Sequence, residues 1–312
     1  MRIGLIIYGS LDTLSGGYLY DRMLVEHLRW AGDEVSVISL PYRNYVDHLT
    51  DNLSSALVAK LAKHRFDFLL QDELNHPSLF WLNRTLRRRA PYQIVSIVHH
   101  LRTNEDHPAP LKLMYRFIER MYLNTVHGFI YNGQTTKTEV EKLTGKSRPH
   151  IVAVPGGNRF AKTLPADRIT NRVHRDGPLK VLFVGNVIPR KGLHTLLDAL
   201  ARLDHERWRL TVVGNSEVDK PYAARIVQQV ARLGISRNVN VIGPVSGSDL
   251  ADQYSNHHIL AVPSSYEGYG IAYLEAMAFG MPGIGSTAGG ASEIITNNIN
   301  GFLVTPGVQS VT

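Results

Sequence analysis

The chain has 312 residues, 44% of them apolar and 20% charged, which is the balance of a folded globular protein long enough for two α/β domains with separate cores. It contains no cysteine, and this excludes a disulfide framework and thiolate metal sites. Thirty-four Lys and Arg against 27 Asp and Glu leave a net charge of +7, yet no helix-turn-helix, zinc-finger or RNP-type aromatic pattern directs that charge to nucleic acid.

The opening run Met1-Arg2-Ile3-Gly4-Leu5-Ile6-Ile7-Tyr8 is too short for a signal-peptide core with flanks and reads as a first buried strand. No apolar stretch approaches the ~20 residues needed to span a bilayer, so the expectation is a cytoplasmic protein, soluble or peripheral at the inner membrane face. In chain order, strands are predicted at residues 3–8, 34–39, 66–70, 94–98, 128–131 and 151–154, with helices at 18–30, 54–64 and 135–143. Part of the positive charge falls in this half, at Arg84, Arg87, Arg88 and Arg89. Within residues 111–123, Lys112, Arg116 and Arg120 recur every four positions beside Leu113, Met114, Phe117, Ile118 and Met121. A helix there carries a cationic stripe next to an apolar face. It reads either as a surface helix packed on a sheet or as a contact with a membrane surface or anionic acceptor.

Hydrophobic periodicity fades between residues 156 and 178, and the interdomain linker is placed there, giving a first domain at 1–170 and a second at 178–312. The second half is more regular. Strands are predicted at 179–184, 208–213, 239–242 and 259–262, and helices at 194–203, 222–233 and 249–256, with Gly or Pro at most junctions. Such alternation implies parallel sheets covered by helices, with ligands bound outside the carboxyl ends of the strands.

Two motifs carry chemistry. The first is Val184-Gly185-Asn186-Val187-Ile188-Pro189-Arg190-Lys191-Gly192, an exposed loop between a predicted strand and a predicted helix. Gly185 permits a tight turn, the helix start directs N–H groups at a ligand, and Arg190 and Lys191 add a planar fork and a point charge. No Gly-Lys-Ser/Thr follows, so this is not a P-loop. The second is Glu267-Gly268-Tyr269-Gly270-Ile271-Ala272-Tyr273-Leu274-Glu275. Glu267 falls at the carboxyl edge of a strand, and Glu275 falls in the second turn of a helix running from Gly270 to Phe279. Gly268 and Gly270 let the backbone approach a ligand closely. Two cations suit a diphosphate and two acceptor-only carboxylates suit vicinal hydroxyls, the two features of a nucleotide sugar.

At these residues, and most strongly over 179–307, the chain resembles retaining glycosyltransferases of the GT-B fold, family GT4, whose donor domain carries a basic loop and then E-x7-E. The resemblance implies an α/β protein of two Rossmann-like domains facing a cleft, the first for the acceptor and the second for the nucleotide sugar. It implies that Arg190 and Lys191 hold the diphosphate and neutralise the leaving group. Glu275 would bind the ribose hydroxyls, and Glu267 would bind and orient the donor sugar. In the first half, Ser15-Gly16-Gly17-Tyr18 is a natural anion seat at a helix start and resembles the family's glycine loop that approaches the donor phosphate. His99, in register with a family histidine near the reacting centre, follows a strand, with His100 beside it and Glu105 and Asp106 in the polar loop beyond. Enzymes of this kind continue with further helices after the segment that ends here at Gly307, so the C-terminal helices are expected to be missing.

Other signals carry less. Gly283-Ile284-Gly285-Ser286-Thr287-Ala288 fits a dinucleotide fingerprint but lacks the acidic residue about 20 positions on. His257-His258 has no metal-ligand neighbour at workable spacing, and Glu293 reads as a cap for a helix near Ala291. There is no Asp-x-Asp, so neither a metal nor any cofactor beyond the nucleotide-sugar co-substrate is expected. The acceptor is a glycan, a lipid-linked sugar or a small molecule, as in cell-envelope or polysaccharide synthesis. A nucleotide-sugar epimerase of the same architecture and a non-catalytic nucleotide-sugar binding protein are the rival readings.

Overall fold

Leu5, Ile6 and Ile7 are all fully buried although successive strand residues point to opposite faces, so helices must cover both sides of the first sheet. The computed structural model describes residues 1–157, 159–160, 164–174, 176–245 and 247–306, and Gly307 lies outside the described residues. Strands β1 (Arg2–Tyr8), β2 (Glu34–Leu40), β3 (Phe68–Asp72), β4 (Gln93–Val98), β5 (Gly128–Tyr131) and β6 (His150–Val152) form one sheet in the order β2-β1-β3-β4-β5-β6. Strands β7 (Leu179–Val184), β8 (Trp208–Val213), β9 (Val239–Gly243), β10 (Ile259–Val262), β11 (Gly283–Ser286) and β12 (Gly301–Val304) form another, in the order β12-β11-β10-β7-β8-β9. Every pairing within both sheets is parallel. The direction of strand addition reverses between β1 and β3 and again between β7 and β10. Those reversals open crevices at the strands' carboxyl ends, where such sheets bind ligands.

The chain divides into two units, Met1–Pro155 and Gly156–Thr312, which moves the expected end of the first domain from residue 170 back to 155. The reason lies in a helix, Ala166–Val173, within the stretch taken as linker. Its Arg172 is buried and donates to the carbonyls of Tyr254, Phe279 and Gly280 at 3.1, 3.0 and 2.9 Å, anchoring the helix to the second unit.

β3 begins two residues later than expected. Phe66 is buried by packing on His64 and Tyr92 rather than by sheet pairing, while the strand continues into Gln71 and Asp72, both wholly buried. β11 and β12 were not anticipated. Gly285 in β11 lies so close to its neighbours that a Cβ would stand 2.7 Å from Ile295 Cδ1, so Ile284 is the strand's one branched residue and its pattern is weak.

The cationic stripe does lie on a helix, Ala109–Leu123. It packs through Tyr115, Ile118, Glu119, Tyr122 and Leu123, and Lys112, Arg116 and Arg120 are exposed. Leu113 and Phe117, of the apolar face read either as packed on the sheet or as a surface contact, stand among the cations at 68% and 64% exposure.

Candidate functional site

In the second unit β7 and β10 are neighbours, with Val181 opposite Ile259 and Leu182 opposite Leu260, so the loops that follow them meet. Past Gly185, the basic loop tightens into a single 3-10 turn at Pro189–Lys191 and ends at Gly192, which precedes the helix Leu193–Leu200. Gly192 has φ 72°, and a Cβ there would lie 2.1 Å from the Pro263 carbonyl oxygen. Only glycine lets the basic loop lie against the loop after β10.

That contact joins the two motifs. Lys191 Nζ lies 2.7 Å from Glu267 Oε2, and Ser264 Oγ donates to the same oxygen at 3.1 Å. Arg190 Nη1 donates to the Tyr266 carbonyl at 3.0 Å, while the Ser265 amide donates to the Arg190 carbonyl at 2.8 Å. Arg190 and Lys191 are therefore half-buried, not on the exposed loop expected. Glu267 is also held from behind: its amide donates to the Ala288 carbonyl and its carbonyl accepts from the Gly290 amide at 2.7 Å. Burial alone would raise the Glu267 pKa, but the charges of Lys191 and Arg190, with hydrogen bonds from Lys191 and Ser264, bring it down to about 2. Glu267 is an anion at any working pH.

Glu275 is the fifth residue of the helix Ile271–Ala278, in the second turn as expected, with Gly270 at its start at φ 104°. Gly268 and Gly270 are buried, and a Cβ on Gly270 would lie 2.6 Å from the Tyr273 ring, so that glycine answers internal packing. Tyr269 is buried in the core of the unit. Glu275 is only 2% exposed, and both its oxygens are engaged: Oε1 by Arg159 Nε and Oε2 by Tyr254 Oη at 2.7 Å. Neither Arg159 nor Tyr254 was picked out in the sequence. Periodicity gives no sign of a contact spanning 116 residues between a loop and a helix.

The first unit assembles a different group over β1, β3 and β4. Ser15 caps the helix Gly16–Trp30 by accepting from the Tyr18 amide, placing Gly16 and Gly17 in its first turn. Gly17 faces His99, since a Cβ on it would lie 3.2 Å from the imidazole Cδ2. His99 Nε2 lies 3.1 Å from Asp21 Oδ1, with Tyr20 edge-on to the ring. Burial would lower the His99 pKa, but Asp21 beside it, helped by Asp72 and Glu73, raises it to about 9, so the imidazole is cationic. His100 and His107 both face Glu105, at 3.0 and 3.4 Å. Beneath lie Glu73 and Glu119, each pushed up to about 8 chiefly by burial. Asp21, Asp72, Glu73, His76 and Glu119 do not stand out because a polar residue in a hydrophobic pattern reads as solvent-facing, whereas all five are buried here. In the second unit, His257 and His258 are structural, bonding Thr211 Oγ1 and the Lys180 amide at 2.8 and 2.9 Å. Glu293 ends a 3-10 turn, Gly290–Glu293, where an α-helix was expected.

Paired six-stranded parallel sheets, the second with a cation–carboxylate crevice at its switch point, define the class. The architecture is GT-B, and residues 167–311 match the model of the family described as glycosyl transferases group 1. Over 99% of its length the chain superposes on sucrose-phosphate synthase from Thermosynechococcus elongatus, covering 87% of that chain with a TM-score of 0.83 at 22% identity. It likewise covers 88% of the Anabaena protein Alr3699/HepE in complex with UDP-glucose, with a TM-score of 0.73, over 100% of its own length and at 22% identity. In sequence it is 33% identical over 184 residues to a D-inositol 3-phosphate glycosyltransferase of Xylanimonas cellulosilytica, spanning 54% of this chain and 43% of the relative. An uncharacterized glycosyltransferase of Methanocaldococcus jannaschii is 34% identical over 133 residues, 42% of this chain and 33% of the relative. The chain thus spans a third to about half the length of the curated relatives it matches.

Proposed function

We propose that the chain is a retaining, GT4-type glycosyltransferase that moves a sugar from a nucleotide-sugar donor to an acceptor hydroxyl without a metal ion. The observation that carries this reading is the meeting of Arg190, Lys191 and Glu267 at the switch point of the second sheet. A diphosphate entering there finds two cations, and a sugar hydroxyl finds an ionised carboxylate whose position is fixed from both sides. As the bond from the anomeric carbon to the phosphate oxygen breaks, charge gathers on the diphosphate, and Arg190 and Lys191 stabilise it there. The acceptor oxygen bonds to the anomeric carbon from the same face, and its proton passes to the departing phosphate. His99, a cation behind Gly17, is the first unit's candidate catalytic residue.

UDP-glucose, held by the Anabaena neighbour, is the first donor to test, and inositol 3-phosphate, named for the Xylanimonas relative, is the first small-molecule acceptor. Acceptor-dependent release of nucleotide, with an α-linked product from an α-linked donor, is the expected outcome. An epimerised nucleotide sugar as product would overturn the reading in favour of an epimerase. Binding without turnover across UDP-, GDP- and ADP-sugars with a panel of acceptors would leave a binding protein.

Leu113 and Phe117, exposed among Lys112, Arg116 and Arg120, support a peripheral contact with an anionic membrane surface, which suits a lipid-linked acceptor. None of the described helices is long and apolar enough to cross a membrane. Binding to vesicles containing anionic lipid should weaken with salt and disappear on charge reversal of Lys112, Arg116 and Arg120 together. Equal binding to neutral vesicles would remove the electrostatic contact.

A further inference from the structure

We propose that Arg159 is a positioning residue for the donor nucleotide: it holds the Glu275 carboxylate in the orientation that accepts the ribose diol. This rests on the reading of Glu275 as the ribose-binding carboxylate. Arg159 Nε donates to Glu275 Oε1, and Tyr254 Oη donates to Oε2 from the other side. A carboxylate at 2% exposure is costly unless it is paired, and here one cation and one phenol are its partners. An ionised carboxylate offers about four lone-pair positions, two on each oxygen. Among the described residues one on each oxygen is taken, so the plane of the group is fixed and one on each is left for a ligand, the pattern that two adjacent hydroxyls need.

Arg159 is itself positioned. Its guanidinium lies over the Phe160 ring at 4.6 Å, and Phe160 packs edge-on against Tyr254 and Phe279 at 5.8 and 5.4 Å. Two residues earlier, Gly157 lies against Leu274, next to Glu275, where a Cβ would be 2.9 Å from Leu274 Cβ. The arginine thus belongs to a segment pressed onto the helix that carries Glu275, just past the division between the units. Its side chain is a quarter exposed, so the ribose would reach the carboxylate alongside Arg159 and not through the core.

The test is calorimetric titration of UDP, GDP and ADP into the wild-type chain, then titration of the tightest binder and its 2′,3′-dideoxy counterpart into R159A, R159K and E275A. A hydrogen bond to a charged group is worth about 1.5–3 kcal/mol, so R159A should weaken the ribonucleotide about 10- to 100-fold. R159K should recover part of that, and the dideoxy counterpart, which has no diol to present, should bind R159A and wild type alike. An equal loss for both nucleotides would show that Arg159 merely supports the fold, overturning the proposal. So would a ribonucleotide affinity within twofold of wild type in R159A while E275A loses affinity. If E275A also binds as wild type does, it is the ribose reading that falls. If none of the three nucleotides binds wild type, both fall together.

Discussion

The two switch points bury carboxylates to a similar depth and treat them in opposite ways. Over β7 and β10, Glu267 is 9% exposed and held near pKa 2, because Lys191 and Arg190 are within reach. Over β3, Glu73 is 1% exposed and pushed up to about 8, as is Glu119. Burial raises the pKa at all three; what differs is a cation close enough to reverse it. His76, the imidazole beside Glu73 at 3.2 Å, is itself lowered by burial, and the charges of His99 and Arg102 lower Glu73 by less than burial raises it. A buried acid beside a cation remains an anion that can grip hydroxyls, whereas one without becomes a neutral hydrogen-bonding group. This is what the proposed grip on a charged, polyhydroxylated ligand requires of the second unit, whereas in the first unit the buried Glu73 and Glu119 are pushed towards the protonated form behind the cationic His99.

The sharpest way to break this contrast is to remove the cations. Arg190→Ala or Lys191→Ala should lower kcat about 10²–10³-fold, as loss of a charge-stabilising donor does elsewhere. Lys191→Ala should also leave Glu267 buried without its nearest cation, so its activity should depend more steeply on pH than that of Arg190→Ala. Turnover within threefold of wild type in either variant would take the loop out of the mechanism.

The carboxylates should then fail differently. Glu275→Ala should weaken free-nucleotide binding at least as much as Arg159→Ala, about 10- to 100-fold, with a smaller change in kcat, because ribose, its proposed partner, does not react. Glu267→Ala should bind free nucleotide nearly as wild type does and lose kcat, because its proposed partner is the sugar that does react. The Lys191 contact complicates the second case, since the variant also releases a cation beside the diphosphate. Tighter nucleotide binding in Glu267→Ala would reveal that competition. A pattern with the two roles exchanged would reverse the assignment.

A smaller effect separates the units by pH. Glu73 and Glu119 have folded pKa values near 8 against 4.5 unperturbed, so between those pH values the folded state binds more protons than the unfolded. Stability should fall as pH rises from about 4.5 to about 8 on their account. Glu267 runs the other way: its folded pKa is depressed, so its contribution is present above about 4.5 and lost as pH falls towards 2. Melting temperatures over that range for wild type and Glu73→Gln would test the first claim, and the variant should show the shallower decline above pH 5. An unchanged slope would mean that Glu73 has no part in it.

Strands with consecutive branched or aliphatic residues, such as β1, β7 and β10, were legible in the sequence because both faces of a parallel sheet are apolar. β11 was not, since tight packing requires glycine at 285 and leaves Ile284 as its one branched residue. The helix Ala166–Val173 escaped notice because its tether is one arginine bonding three carbonyls, a contact without periodicity. At the site, Arg190, Lys191, Glu267 and Glu275 stood out through local spacing near glycines. Their partners did not: Arg159 and Tyr254 reach Glu275 across 116 and 21 residues, and Asp21 reaches His99 across 78. Local pattern announces the residues that could meet a ligand, while the residues that hold them come from tertiary packing.

Chelation should produce the smallest effect on the reaction, and where any effect appears bears on the same comparison. Cations already occupy the proposed diphosphate seat, so excess EDTA should leave kcat unchanged. Loss of activity restored by Mg²⁺ or Mn²⁺, with no change in melting temperature, would place a required ion on the donor diphosphate and overturn metal-independent transfer. In the first unit, however, Asp21, Asp72 and His99, and separately Glu73, His76 and Glu119, bring one ligand atom each within 4.8 Å of one another. An ion bound there would replace the protons on Glu73 and Glu119, and chelation would then lower the melting temperature. Melting and turnover measured on the same EDTA-treated sample therefore separate the units. A fall in melting temperature with kcat intact would mean that the first unit's acids are neutralised by a metal, while the second unit's chemistry would still proceed on Arg190 and Lys191 alone.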